Sequence, residues 1–361
     1  MQKPNPSCPD CVSANHPTRR QILKVAAGGA AALTAASAGM FSLGVTPRFA
    51  RAGAEVVASG ATPAAPETLV AQLFKSLTDE QKKLITFPFE HPLRSQVDNN
   101  WHIVKQPIGK TLTPEQHALV KEIFVDLHSE EYAAKVVQQV EHDNEEDDGF
   151  AGCAIALFGE PGDRGDGGKS KFEFVFTGRH VTRRCDGNSV EGEAFGGPIF
   201  YGHAAAGFHE TATHPGNIYW YQALQANEVF KAMDGKQRSM ALRSDPRREQ
   251  GSKTVALRGK DDGIPGIPMT ELANDQKDLV RKVMADLLAP FRKRDADEAL
   301  KMIEDGGFDH LRMAFYQGPG LDIGNDGVWD VWQIEGPSMV WYFRGAPHVH
   351  TWVHVREPDK A

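Results

Sequence analysis

Phe158-Gly159-Glu160-Pro161-Gly162 returns later in the chain as Tyr316-Gln317-Gly318-Pro319-Gly320. The offset, 316 less 158, is 158 residues. At the same offset Val175-Phe176-Thr177-Gly178 lies over Gln333-Ile334-Glu335-Gly336, and Gly187 lies over Gly345. Upstream, Leu112-Thr113-Pro114-Glu115-Gln116 resembles Leu272-Ala273-Asn274-Asp275-Gln276. Further upstream, Thr78-Asp79-Glu80-Gln81 resembles Asp234-Gly235-Lys236-Gln237. A nearly constant offset over separated blocks points to one unit present twice.

Each unit reads as helices followed by strands. Thr78 and Thr113 stand as N-caps with Gln81 and Gln116 three positions on, the capping-box spacing. Leu119 to Leu127 and Leu279 to Leu288 carry apolar residues at helical spacing. An extended segment and a Gly/Pro turn follow: Ala151 to Phe158 in the first unit, Leu311 to Tyr316 in the second. Phe172, Phe174 and Phe176 then share one strand face, as do Trp329, Val331 and Gln333. The expectation is an α+β fold of two similar helix-then-antiparallel-sheet units related by internal duplication. Their bounds are 68–190 and 234–358. A Gly- and His-rich insertion at 191–233, read as loops, separates them. Residues 244–268 form another irregular stretch.

Residues 1–54 read as a signal peptide. Thr18-Arg19-Arg20-Gln21-Ile22-Leu23-Lys24 precedes an Ala/Gly-rich stretch from Val25 to Val45 that holds no Asp or Glu. Ala50-Arg51-Ala52-Gly53-Ala54 then offers cleavage after Ala52 or Ala54. This is the three-part build of an export leader, and the Arg pair makes it a twin-arginine one. The competing reading is a membrane anchor. A spanning helix wants about 20 strongly apolar residues, and this stretch is only weakly hydrophobic. The expectation is a periplasmic or otherwise exported protein, handed to the twin-arginine translocase already folded, with no stable membrane anchor. Export after folding lets a metal be chosen in the cytoplasm, away from competition by copper or zinc outside.

Net charge is −8 for the full chain, and no basic stripe suggests nucleic acid. No Ser-His-Asp signature, phosphate loop or dinucleotide fingerprint is present. Cys8 and Cys11 fall within the leader. Cys153 and Cys185 read equally as a permitted disulfide or as two buried thiols.

The strongest chemical feature is Pro347-His348-Val349-His350-Thr351-Trp352-Val353-His354. On a strand, positions 348, 350 and 354 face one side. Residues i and i+2 lie about 6.5–7 Å apart, so two imidazoles can converge on one ion at about 2.0–2.1 Å. Three histidines on one buried face are costly otherwise, because each unpaired polar nitrogen loses about 1–3 kcal/mol. The competing reading is a solvent-facing strand rich in His. The His348/His350 pair needs a third donor, and His180, His203, His209 and His214 are the candidates; His354 is a further candidate ligand or a neighbour behind the ligands. Trp329, Trp332, Trp341 and Trp352 read as sheet core, and the acidic run Glu141 to Asp148 as a solvated loop.

At this strand the chain resembles a bacterial family of exported proteins, domain-of-unknown-function family 3500. The resemblance rests on Gly178-Arg179-His180, on His348-Val349-His350-Thr351 and on Arg356-Glu357. The Leu-x-x-Glu-Gln helix starts and the Phe-Gly-Glu-Pro-Gly turn add to it, over most of residues 70–358. Arg179 stands where the family pattern has a first His. The family resemblance implies no reaction.

Two functional classes remain open. One is an exported metalloenzyme in which His348, His350 and His180 hold copper, iron or zinc, with His203 or His209 completing or bordering the site. Such a site activates dioxygen or water for an unknown small-molecule substrate, with Glu210 or Glu335 as candidate general base. The other is a non-catalytic periplasmic protein that binds a metal or another ligand.

Overall fold

The computed structural model describes residues 65–162, 170–203, 216–245, 247–259, 263–317, 329–345 and 348–358. The leader (1–54), His209, Glu210 and His214 lie outside the described residues.

Helix α1 (Pro66–Ser76) is followed by α2 (Asp79–Ile85) and the short strand β1 (Thr86–Phe87). Thr78 caps α2 as its spacing predicts. Its hydroxyl accepts from Gln81 N at 3.2 Å, and the Gln81 side chain accepts from Thr78 N at 2.8 Å. The single-turn α3 (Ile108–Thr111) leads to α4 (Pro114–Asp126), capped in the same way by Thr113 and Gln116, and then to α5 (Glu130–Asp143). Four strands follow: β2 (Ala154–Gly159), β3 (Phe172–Gly178), β4 (Val181–Cys185) and β5 (Ile199–His203).

A second series runs in a similar order. It comprises α6 (Trp220–Ala232), α7 (Gly235–Ala241), β6 (Leu242–Arg243), β7 (Ile267–Pro268), α8 (Asn274–Leu288) and α9 (Lys293–Asp305). Strands β8 (Arg312–Tyr316), β9 (Val331–Gly336), β10 (Met339–Arg344) and β11 (Val349–Val355) complete it.

The strands join in one eleven-stranded mixed sheet, ordered β1-β2-β3-β4-β5-β11-β10-β9-β8-β6, with β7 paired to β8. The expected antiparallel pairing holds inside the sheet, while β1/β2 and β6/β8 near its ends are parallel. The stretch 191–233, read as loops, instead contributes β5 and α6. Ala223, Ala226 and Val229 are buried at helical spacing, and Ile199, Phe200 and Tyr201 are buried in the sheet. The Gly and His content of the stretch as a whole hid both elements, although α6 itself holds neither residue.

The main core lies between helices and sheet. Phe124 on α4 packs against Phe176 on β3 at 4.7 Å between ring centroids, and Phe150 against Phe176 at 4.8 Å. Each such side chain, once buried, contributes about 1.5–3 kcal/mol. A smaller apolar cluster joins Phe200, Trp352, Tyr342, Val340 and Val331 to Val97 and Val255. Strand alternation puts these sheet residues on the face opposite Tyr201, Trp341 and Val353. Among the described residues, loop segments such as that around Val97 and a short 3-10 turn, Lys253–Val255, cover that second face.

Candidate metal centre

Two pieces of chain far apart in sequence make the centre. The first is the two-residue turn between β3 and β4, Arg179-His180. Gly178 enters it where a Cβ would lie 2.6 Å from Cys153 Sγ, so only glycine fits. His180 holds a left-handed backbone, φ +56°, a position that favours glycine or asparagine and costs a side chain about 1–3 kcal/mol. Both of its backbone groups are tied down: its N–H donates to Asn99 O at 3.0 Å, and its carbonyl accepts from Gly202 N at 3.1 Å. Asn144 grips the residue before it, accepting from Arg179 N at 2.9 Å and donating to Arg179 O at 3.3 Å.

The second piece is the start of β11, where His348 and His350 alternate toward one side. β11 runs between β5 and β10, with His350 registered against Gly202 and Arg344. His180, His348 and His350 are 0 %, 1 % and 0 % exposed, so these imidazoles are held inside protein and not displayed on an edge.

Their Nε2 atoms converge. His350 Nε2 lies 3.1 Å from His180 Nε2 and 3.0 Å from His348 Nε2. A single proton on His350 Nε2 serves one of these contacts and not both. A cation between the three serves all of them. For donors about 2.0–2.1 Å from one ion, such separations correspond to ligand angles of roughly 90–100°. This group of three could hold a metal ion.

Carboxylates stand behind two of the rings. Asp143 Oδ2 is 2.8 Å from His180 Nδ1 and accepts from Gln139 Nε2 at 2.7 Å. Asp143 Oδ1 faces His203 Nδ1 at 3.5 Å. Burial works against the Asp143 charge, but the hydrogen bonds from His180 and His203 outweigh it and hold the carboxyl well below the usual range. Glu249 Oε2 is 2.8 Å from His350 Nδ1, and its Oε1 is 2.8 Å from Arg344 Nε. The Glu249 carboxylate is thus shared between a cation and an imidazole. Arg344 Nη2 also closes on His350 Nδ1; a guanidinium only donates, so it competes with Glu249 for that ring nitrogen. Burial raises the Glu249 pKa against the lowering pull of Arg344. A carboxylate accepting from Nδ1–H leaves Nε2 with its lone pair for a metal, the arrangement common behind metal-bound histidines.

Among the described residues, the other expected site residues lie elsewhere. His354 points to the same side as His350 but belongs to a different cluster: its Nε2 is 2.6 Å from Glu193 Oε2, and its Nδ1 is 3.0 Å from Val255 O. Glu335 on β9 is buried, with its Oε1 3.1 Å from Arg258 Nε and its Oε2 3.0 Å from Gln333 Nε2. It pairs with Val340, which pairs with His354. That row is four residues, about 13 Å along the strands, from the row of His350. Glu335 is therefore out of reach as a general base for the three-histidine group. Among the described contacts, His203 is joined to the group through Asp143.

Asp143, Glu249 and Arg344 went unnoticed in the sequence. Asp143 and Asn144 belong to the acidic run read as a solvated loop, yet they are only 4 % and 3 % exposed. Their neighbours, Arg179 and His180, return to them from across the sheet. Cys153 and Cys185 are both free thiols and buried. Among the described residues, no helix is long and apolar enough to cross a membrane.

The family described as "Protein of unknown function (DUF3500)" matches residues 60–360, and the chain belongs to it. No curated protein matches the chain, and no solved structure does.

Proposed function

We propose that this member of the DUF3500 family binds one transition-metal ion through His180, His348 and His350 and uses it as a metal-dependent enzyme. The observation that carries this reading is the approach of three buried Nε2 atoms to within a metal's reach of a common point. Three neutral imidazoles suit copper, iron or zinc. Three protein donors, as found among the described residues, leave a coordination position for a substrate or water, as catalytic sites require and closed structural sites do not. Bound there, the ion would activate dioxygen or polarise water. The protein's own part is to present the three nitrogens, with Asp143 and Glu249 fixing two of the rings. Near-complete burial favours a resident ion over cargo passed between proteins.

Two further elements belong to this proposal. The Arg19-Arg20 leader supports export through the twin-arginine translocase after folding and metal loading. Internal duplication is supported by the matching order of helices and strands in the two series, which meet at β5 and β11. It is supported again at the helix turns, where Ser129 N donates to Pro290 O at 3.0 Å and Arg292 N to Leu127 O at 3.2 Å. Equivalent turns contact one another, as they do about a twofold axis. The centre then takes His180 from one half and His348 and His350 from the other.

The test is elemental analysis of the intact protein folded in the cytoplasm, beside His348→Ala/His350→Ala. One metal per chain, lost in the double variant, is the expected result. Absence of metal from the wild type after loading with copper, iron and zinc in turn sinks the reading.

A further inference from the structure

The geometry points to Asp143 as the positioning residue of the centre, and to His203 as a residue that acts on the ion only through Asp143. This rests on the metal-binding reading above, deepens the part Asp143 plays in it and adds His203. The Asp143 side chain is 0 % exposed. An ionised carboxylate only accepts hydrogen bonds, so what surrounds it must donate. Gln139 Nε2 does so at 2.7 Å. His180 at 2.8 Å must therefore carry its proton on Nδ1, which bares Nε2 toward His350. His203 Nδ1 faces the other oxygen at the longer distance of 3.5 Å.

The two imidazoles come from different places. His180 sits in the β3–β4 turn. His203 ends β5, in register with Val349, while its neighbour Gly202 is in register with His350. Strand alternation thus sets His203 on the sheet face opposite His350. A single carboxylate at the end of α5 spans both positions. Asn144, the next residue, fixes the backbone of the same turn. The end of α5 therefore sets both the placement and the tautomer of His180, the ligand that the first half supplies among the described residues. In Asp143→Asn the carboxamide can turn its N–H toward Nδ1. His180 then takes the other tautomer, whose Nε2–H faces the ion and blocks ligation.

The test titrates the intact chain with Co(II), whose visible absorption reports ligand geometry. No binding by the wild type would overturn the metal reading, and this one with it. Given wild-type binding, Asp143→Asn is expected to bind about 10–100-fold more weakly, with shifted absorption bands. His203→Gln is expected to weaken binding in the wild type and to change nothing further on top of Asp143→Asn. Wild-type affinity and bands in Asp143→Asn overturn the positioning role while leaving the metal reading intact. So does a His203→Gln loss of equal size in both backgrounds. Should Asp143→Asn fail to fold, nitrogen NMR of the metal-free wild type decides: Nδ1–H on His180 is expected, and Nε2–H overturns the proposal.

Discussion

Gln81 and Gln116 exchange hydrogen bonds through their carboxamides, Nε2 of each donating to Oε1 of the other at 2.7 and 3.1 Å. The same pairing recurs between Gln237 and Gln276, at 2.9 and 2.8 Å. In both places the glutamine side chain accepts from the N-cap backbone of its own helix. It also donates to a carbonyl at the end of another segment: Ser76 O for Gln116, Ala232 O for Gln276.

Gln116→Ala and Gln276→Ala should therefore cost similar amounts. Each is buried, and each deletion strands partners that cost about 1–3 kcal/mol to leave unpaired. Urea unfolding should show losses of about 2–3 kcal/mol for both. A loss at one position and none at the other would mean that the two pairs are not equivalent.

Metal removal should destabilise the wild type and spare a ligand variant. A site held at one hundred times its dissociation constant adds about 2.7 kcal/mol to folding. A chelator should thus lower the melting temperature of the wild type by several degrees. In His350→Ala the two melting curves should coincide.

Gly178→Ala should damage stability and the metal centre together. The added Cβ would meet Cys153 Sγ at 2.6 Å and Asn144 Oδ1 at 3.1 Å. Overpacking of this kind costs about 1–3 kcal/mol, and the displaced turn carries His180. Cys153→Ala makes room, so the double variant should recover part of both losses. Chemical denaturation and metal titration of the four proteins close the cycle.

Glu335 gives a pH dependence of known sign. Burial raises its carboxyl pKa above the ordinary value, against the lowering effects of Arg247, Arg258 and Gln333. A folded-state pKa above the unfolded one means that the folded chain binds the extra proton. Its stabilising contribution is full below the unfolded pKa and is lost as pH rises through the folded one. Glu335→Gln, which stays neutral, should gain stability over the wild type above that window and match it in acid. Unfolding measured from pH 4 to 8 checks this; a wild type that overtakes the variant on rising pH reverses the sign.

Much of the centre was legible. The His348-Val349-His350 spacing places two donors on one side of a strand by alternation alone, and His180 sits in the turn that Gly178 opens. His354 shows where such reading stops. Alternation fixes the side a residue faces, but not what lies opposite, and four residues of strand move His354 about 13 Å away. Asp143 marks the other limit. Its neighbours Glu141, Glu145, Glu146, Asp147 and Asp148 signal solvent, while His180 from the returning turn and His203 from β5 close over it.

The sequence by itself determined what is local: the capping pairs, the strand alternation, the repeated blocks and the chemical nature of the donors. Each of these depends on residues a few positions apart, or on comparison of one block with another. Tertiary structure alone decided that His180 meets His350, 170 residues away, and that Asp143 and Glu249 stand behind them. That meeting follows from β5 pairing with β11, which depends on the burial of both sheet faces together and leaves no mark on any single stretch of chain.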